Sequence, residues 1–216
     1  FADKRVAVLS VDPTKRRTGG ALLGDRIRMN SLKNERVFMR SLATRGAKSE
    51  LSAAVEDAIG ILKIAGYDLI IVETSGIGQG GTAAVDVSDV SMYVMTSEFG
   101  AQTQLEKIDM IDYADLVAIN KFERRGSLDA LRDVRKQYRR SRKLFDPKLK
   151  DEDLPVFGTI ASQFNDTGVN RLYKRMLQTV ADKTGVALKS TPHLDLGEVK
   201  KIILIVPSER ARYLGE

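Results

Sequence analysis

Asn120-Lys121-Phe122-Glu123 places an amide, a long cation and a carboxylate directly behind the apolar run from Leu116 to Ile119. An Asn amide there can address the N7 and O6 side of a purine, and the acid can accept from the ring N1–H and exocyclic amine of guanine. The lysine stem can cover the face of the base. This set chemically favours guanine over adenine. A second group is Glu73 with Gly76 three residues on. Its carboxylate can hold Mg²⁺ through water, and the glycine N–H can meet a γ-phosphate oxygen without a Cβ in the way. Loss of that phosphate would release the loop. Asp12 and Asp25 are further oxygen donors for an octahedral shell.

Each feature also has a plainer reading. An acid after a strand often caps a helix or sits in a solvated turn. A glycine-rich stretch such as Gly76 to Gly81 is often a flexible loop, and Asn-Lys occurs by chance. The order of these parts along one chain is what joins them.

The elements that must carry them alternate. Arg5 to Val11 and Asp68 to Thr74 are short β-branched runs expected to be buried parallel strands. Between them a helix capped at Ser49 or Ser52 would present Leu51, Val55, Ala58 and Leu62 on one face and end at Gly66. Further on, strands are expected at Asp89 to Thr96, Asp115 to Asn120 and Pro155 to Ile160. Helices are expected near Thr103 to Tyr113, over Ser127 to Lys143 and over Gly168 to Thr184. Such alternation predicts an α/β fold, a mostly parallel sheet flanked by helices on both faces. Ligands then bind at the carboxyl ends of the strands. Asp12, Glu73, Thr96, Asn120 and the Thr159 to Ser162 stretch all fall there.

The 216 residues suit one such domain, or one with a tail. The absence of cysteine excludes disulfides, zinc thiolates and thiol catalysis, and a cytoplasmic setting is expected. No apolar run approaches the roughly 20 residues needed to span a bilayer, so no membrane partner is expected. The net charge of +6 concentrates between Arg132 and Lys143. On a helix with Leu128, Leu131, Val134 and Tyr138 inward, this reads first as a solvated face. Docking to an acidic neighbouring domain is a second use. Nucleic acid is disfavoured, since no aromatics interleave with the basic residues. Tyr67, Tyr93 and Tyr113 read as packing residues, and His193 has no catalytic partner at a meaningful spacing.

The runs Val11-Asp12-Pro13, Thr18-Gly19-Gly20-Ala21-Leu22-Leu23-Gly24-Asp25-Arg26 and Val72-Glu73-Thr74-Ser75-Gly76-Ile77-Gly78-Gln79 resemble the G-protein chaperones of adenosylcobalamin-dependent acyl-CoA mutases. Asn120-Lys121-Phe122-Glu123-Arg124-Arg125-Gly126 and the tail from Ile205 to Leu214 look most like the form fused to isobutyryl-CoA mutase. The resemblance extends over Lys4 to Lys183, and less closely over the tail. It implies a P-loop GTPase-like three-layer sandwich that binds GTP or GDP with Mg²⁺, hydrolyses GTP, and gates cofactor loading of a mutase. Adenosylcobalamin would belong to the fused or separate mutase domains, and a homodimer is compatible.

Under the resemblance, Asp12, Asp25 and Glu73 gather around the metal, while Gly76, Asn120, Lys121, Glu123 and Ser162 contact the nucleotide. Three switches are implied: Arg16 to Asn30, with Gly19 and Gly20; Gly76 to Ala84, with Gln79; and Ser97 to Lys107, with Gln102 and Lys107. Gln79 is the candidate for orienting water, although it could equally cap its loop. Glu123 stands where Asp is usual. No Gly-x-x-x-x-Gly-Lys-Ser/Thr occurs in the chain. The expectation is that the first strand and phosphate-binding loop lie upstream of Phe1, and that this segment alone hydrolyses GTP poorly. The alternative is a non-hydrolysing interaction or linker domain with a degenerate nucleotide site. Residues 1–185 are expected to form the GTPase-like domain and 186–216 a linker toward a mutase substrate domain.

Overall fold

Apolar side chains recur through Val6–Asp12, Val37–Ala43 and Leu69–Thr74, and each segment is a strand, β1, β2 and β3. The computed structural model describes residues 3–12, 34–43, 53–74, 83–100, 105, 108, 110–190, 194, 196 and 197. β1 lies between β2 and β3 and pairs with both in parallel. Sequence pattern alone places no strand at β2, because Arg40 and Ser41 interrupt its apolar run. The structure explains why Arg40 is tolerated: Met39 is buried while its neighbours Phe38 and Arg40 are exposed, the period-two pattern of a half-covered strand, and Ser41 is half-buried on the Met39 face.

Helix α1, Ala53–Ile64, closes this sheet on one side. Val55, Ile59 and Leu62 lie on one helical face and pack with Ala7, Leu9 and Val11 of β1. Gly66 ends the helix at φ 77°, in the left-handed region as expected. The Asp68 carboxylate then accepts from Arg5 N–H at 2.8 Å and Lys4 Nζ at 3.0 Å, tying the entrances of β1 and β3 together. Of the expected helix face, Leu51 lies outside the described residues, as do Ser52 and Ser49.

After the short helix α2, Ala83–Asp86, a second parallel sheet runs β4-β5-β6, formed by Met92–Thr96, Leu116–Asn120 and Val156–Gly158. β5 is central: Leu116, Val117, Ala118 and Ile119 are at most 2% exposed. It is covered by α3, Met110–Tyr113, α4, Ser127–Ser141, and α5, Thr167–Thr184. Of the helix expected over Thr103 to Tyr113, α3 is the described last turn. Among the described residues β3 pairs only with β1 and β4 only with β5. Ile71 and Val94, 45% and 58% exposed, belong to these two strands.

Two expectations about side chains are corrected. Leu128 is exposed rather than inward, because Ser127, Ala130, Val134 and Tyr138 form the buried stripe of α4 and Leu128 lies a third of a turn off it. Tyr113 is also exposed, at the end of a single-turn helix. The basic run is less a solvated face than expected. Arg135 donates to Val156 O, Arg139 to Asp151 and to the Leu144 and Leu149 carbonyls, and Arg142 to Ile111 O and Ala114 O. These guanidinium groups satisfy carbonyls on the segments that lead into β5 and β6. No helix among the described residues is long and apolar enough to cross a membrane.

Candidate nucleotide site

Parallel register brings the strand ends level. Thr96 lies opposite Asn120, and Ile119 opposite Gly158, so the loops after β4, β5 and β6 open on one edge. At that edge the Asn120 side-chain oxygen accepts from Ala161 N–H at 3.1 Å and from the Thr159 hydroxyl at 3.4 Å. A backbone N–H requires an acceptor, so the amide is oriented with its NH₂ away from β6. Among the described residues nothing engages that NH₂. Two donors are left for two adjacent acceptors, which the N7 and O6 edge of guanine supplies.

The loop behind Asn120 is held at several points. Thr159 N–H donates to Ile119 O at 2.9 Å and Phe122 N–H to Thr159 O at 3.1 Å. Lys121 has φ 55°, a left-handed conformation unusual outside glycine and one that clusters at ligand-binding sites. The Lys121 and Glu123 side chains are exposed and make no ion pair among the described residues, and Ser162 is exposed in the loop after β6. The structure thus brings Asn120, Lys121, Glu123 and Ser162 to one edge.

Sequence reasoning missed the residues that support them. Asp166 is 5% exposed, and one carboxylate oxygen accepts from Ile160 N–H at 3.1 Å and Val169 N–H at 2.8 Å. It caps α5 and fixes the loop carrying Ala161 and Ser162 in one arrangement. Asp166-Thr167 ahead of an amphipathic run is a cap signature visible in the sequence. Arg124 donates to Glu98 at 2.5 Å, and Thr96 Oγ1 to the other Glu98 oxygen at 3.3 Å, linking the turn Ser97–Phe99 to the same loop.

On the first sheet, Glu73 lies opposite Ser10, whose buried hydroxyl donates to its carboxylate at 2.9 Å. The second carboxylate oxygen points to no described partner. Asp12 ends β1 level with Ala43, and only its backbone is described. Among the described residues no group of three His, Cys, Asp or Glu side chains gathers to hold a metal. One exposed carboxylate oxygen still fits Mg²⁺, which commonly keeps several waters and takes one or two carboxylates besides phosphate oxygens. Gly19, Gly20, Asp25, Gly76, Gln79, Gln102 and Lys107 lie outside the described residues, as do His193 and the tail from Glu198.

The family model described as Methylmalonyl Co-A mutase-associated GTPase MeaB matches residues 2–204. The chain belongs to this family. It is 61% identical over 214 residues to a fused isobutyryl-CoA mutase of Geobacillus kaustophilus, covering 99% of the chain and 19% of that protein. The chain therefore spans about a fifth of the length of the curated relatives it matches at this level. Among solved structures, LAO/AO transport system kinase superposes with a TM-score of 0.53 at 20% identity, over 84% of this chain and 51% of that one. HypB from Helicobacter pylori, in complex with nickel, gives 0.52 at 18% identity, over 89% and 81%. These two likenesses show the α/β fold of parallel strands and flanking helices, as expected for this family.

Proposed function

We propose that this chain is the guanine-reading and switch-bearing part of a Mg²⁺-dependent GTPase that acts as a chaperone of an adenosylcobalamin-dependent acyl-CoA mutase of the isobutyryl-CoA type. The observation that carries this reading is the Asn120 amide, whose oxygen is engaged by the loop after β6 and whose two N–H donors, among the described residues, are left for a purine. Glu123 accepts from guanine N1–H and its exocyclic amine, Lys121 covers the base, and Ser162 lines the same edge. Adenine, with a lone pair at N1 and an amine at C6, meets an acceptor with an acceptor and a donor with a donor.

Phosphoryl transfer needs positioning and charge stabilisation more than covalent help from the protein. Glu73, with Asp12 and Asp25, would hold Mg²⁺, which when bound neutralises charge on the phosphate oxygens. Gly76 would sense the γ-phosphate and Gln79 would orient the attacking water. Gly19, Gly20, Gln102 and Lys107 would lie on segments that rearrange between nucleotide states. The chain holds no Gly-x-x-x-x-Gly-Lys-Ser/Thr phosphate-binding loop, and among the described residues β3 pairs only with β1 and β4 only with β5. The mutase domains, fused or separate, bind adenosylcobalamin, and the nucleotide state gates its loading in the cytoplasm.

Titration of the full-length protein with GTP and with ATP, each with Mg²⁺, tests this reading. GTP is expected to bind far more tightly and to be hydrolysed. Equal affinity for ATP would overturn it. Tight GTP binding without hydrolysis would instead favour a non-hydrolysing interaction domain.

A further inference from the structure

Phe122 stands between Lys121 and Glu123, and its ring is partly buried against the core of the second sheet. It lies directly on the backbone of Gly158, at the end of β6. A Cβ on Gly158 would come within 2.6 Å of Phe122 Cγ and closer still to two other ring carbons, nearer than real contacts allow. Gly158 has no left-handed backbone, so the constraint on it is space rather than conformation. On its other side the first turn of α5 meets Gly158: a Cβ on Gly168 would overlap the Gly158 carbonyl oxygen and lie 3.0 Å from its carbon. Two glycines therefore let a loop, a strand end and a helix start stack within van der Waals distance.

The stack joins the two loops of the candidate site. Phe122 N–H bonds Thr159 O, Ala161 N–H bonds the Asn120 side chain, and Asp166 fixes Ile160 and Val169 to the start of α5. Asn120 has its own anchors. Lys121 and Glu123 have none among the described residues beyond their backbone, which turns through Arg124 N–H to Lys121 O at 3.0 Å. The partly buried Phe122 ring between them therefore seats the backbone that carries both, with the Arg124–Glu98 pair one residue further on.

We propose that Phe122, seated on Gly158, is a positioning residue for guanine discrimination: it sets the height and direction from which Glu123 meets the base. This rests on the nucleotide reading above. Without the ring, Glu123 would sample many positions, and its hydrogen bonds to guanine would be diluted more than those of the independently held Asn120. The contact to the exocyclic amine is the one most sensitive to direction, and inosine diphosphate, which lacks that amine, isolates it.

The test compares GDP and inosine diphosphate binding to the full-length protein, its Phe122→Ala and Phe122→Tyr variants, and Gly158→Ala. The ratio of the two dissociation constants on one sample is independent of the fraction folded, so loss of stability cannot mimic the effect. Wild type is expected to prefer GDP. Phe122→Ala should lose about tenfold of that preference, as when a hydrogen bond to a charged group is lost. Gly158→Ala, which pushes the ring off its seat, should lose a similar share, and Phe122→Tyr should retain it. A GDP preference in wild type that survives intact in Phe122→Ala would overturn the positioning role and leave the nucleotide reading standing. A wild type without any GDP preference would overturn both.

Discussion

Asn120 shows how one side chain serves two surfaces. Its oxygen is held by Ala161 N–H and the Thr159 hydroxyl, so its donors are presented without freedom to turn. Asn120→Asp keeps the acceptor for Ala161 and removes the outward donors. GTP affinity is expected to fall by about ten- to a hundredfold while the melting temperature changes little; calorimetric titration and thermal unfolding check both, and undiminished affinity would contradict the assignment. The sequence offers Asn-Lys-x-acid behind an apolar strand as a candidate set, and the structure brings Asn120, Lys121 and Glu123 to one edge. The amide's orientation was not legible in the sequence, because its partners lie about forty residues on, in a loop whose path depends on the Asp166 cap. Glu73 was legible as an acid at a strand end, whereas its hydrogen bond from Ser10 required the parallel register of β1 and β3.

At the scale of elements, periodicity located β1, β3, β5, α4 and α5; β5 and α4 bury a continuous face, whereas β3 is half-covered and α5 is buried only in its first turn. It missed β2, where exposed Arg40 and half-buried Ser41 break the apolar run, and misplaced Leu128, because an apolar residue beside the buried stripe of α4 has the same composition as one within it. The arginines of α4 carried no sign in the sequence that they would bind loop carbonyls. At the far end of this sheet, Lys183 of α5 reaches Asp115 at 2.8 Å, and Ser91 N–H joins the same carboxylate at 2.9 Å, before β5 begins. Burial alone would raise the Asp115 carboxyl, but the hydrogen bonds from Lys183 and Ser91 outweigh it and hold the group below its ordinary value. A carboxyl depressed in the folded state stabilises the fold above its unfolded pKa of about 3.9, and that stability is lost as pH falls through the lower folded value. Lys183→Met is therefore expected to cost about 1 kcal/mol at pH near 7, measured by urea unfolding. The cost should shrink once the pH drops below the depressed folded value. An equal cost at both ends of that range would show that the pair acts through packing alone.

At the scale of the whole molecule, two parallel sheets present Glu73 from one and Asn120, Lys121, Glu123 and Ser162 from the other at carboxyl strand ends, where an α/β fold binds ligands. The α/β class was legible from alternation alone; the pairing of the described strands into two three-stranded sheets was not, since it depends on which edges find partners. The central claim is that Glu123 reads the 2-position of guanine. Glu123→Gln tests it most directly. A glutamine oxygen still accepts from N1–H, but its NH₂ opposes the guanine amine and suits the C2 carbonyl of xanthine. GDP and xanthosine diphosphate affinities should be measured for the full-length wild type and this variant. The account predicts that the GDP-to-xanthosine preference shifts toward xanthosine diphosphate by about a hundredfold or more; a ratio unchanged from wild type would contradict it.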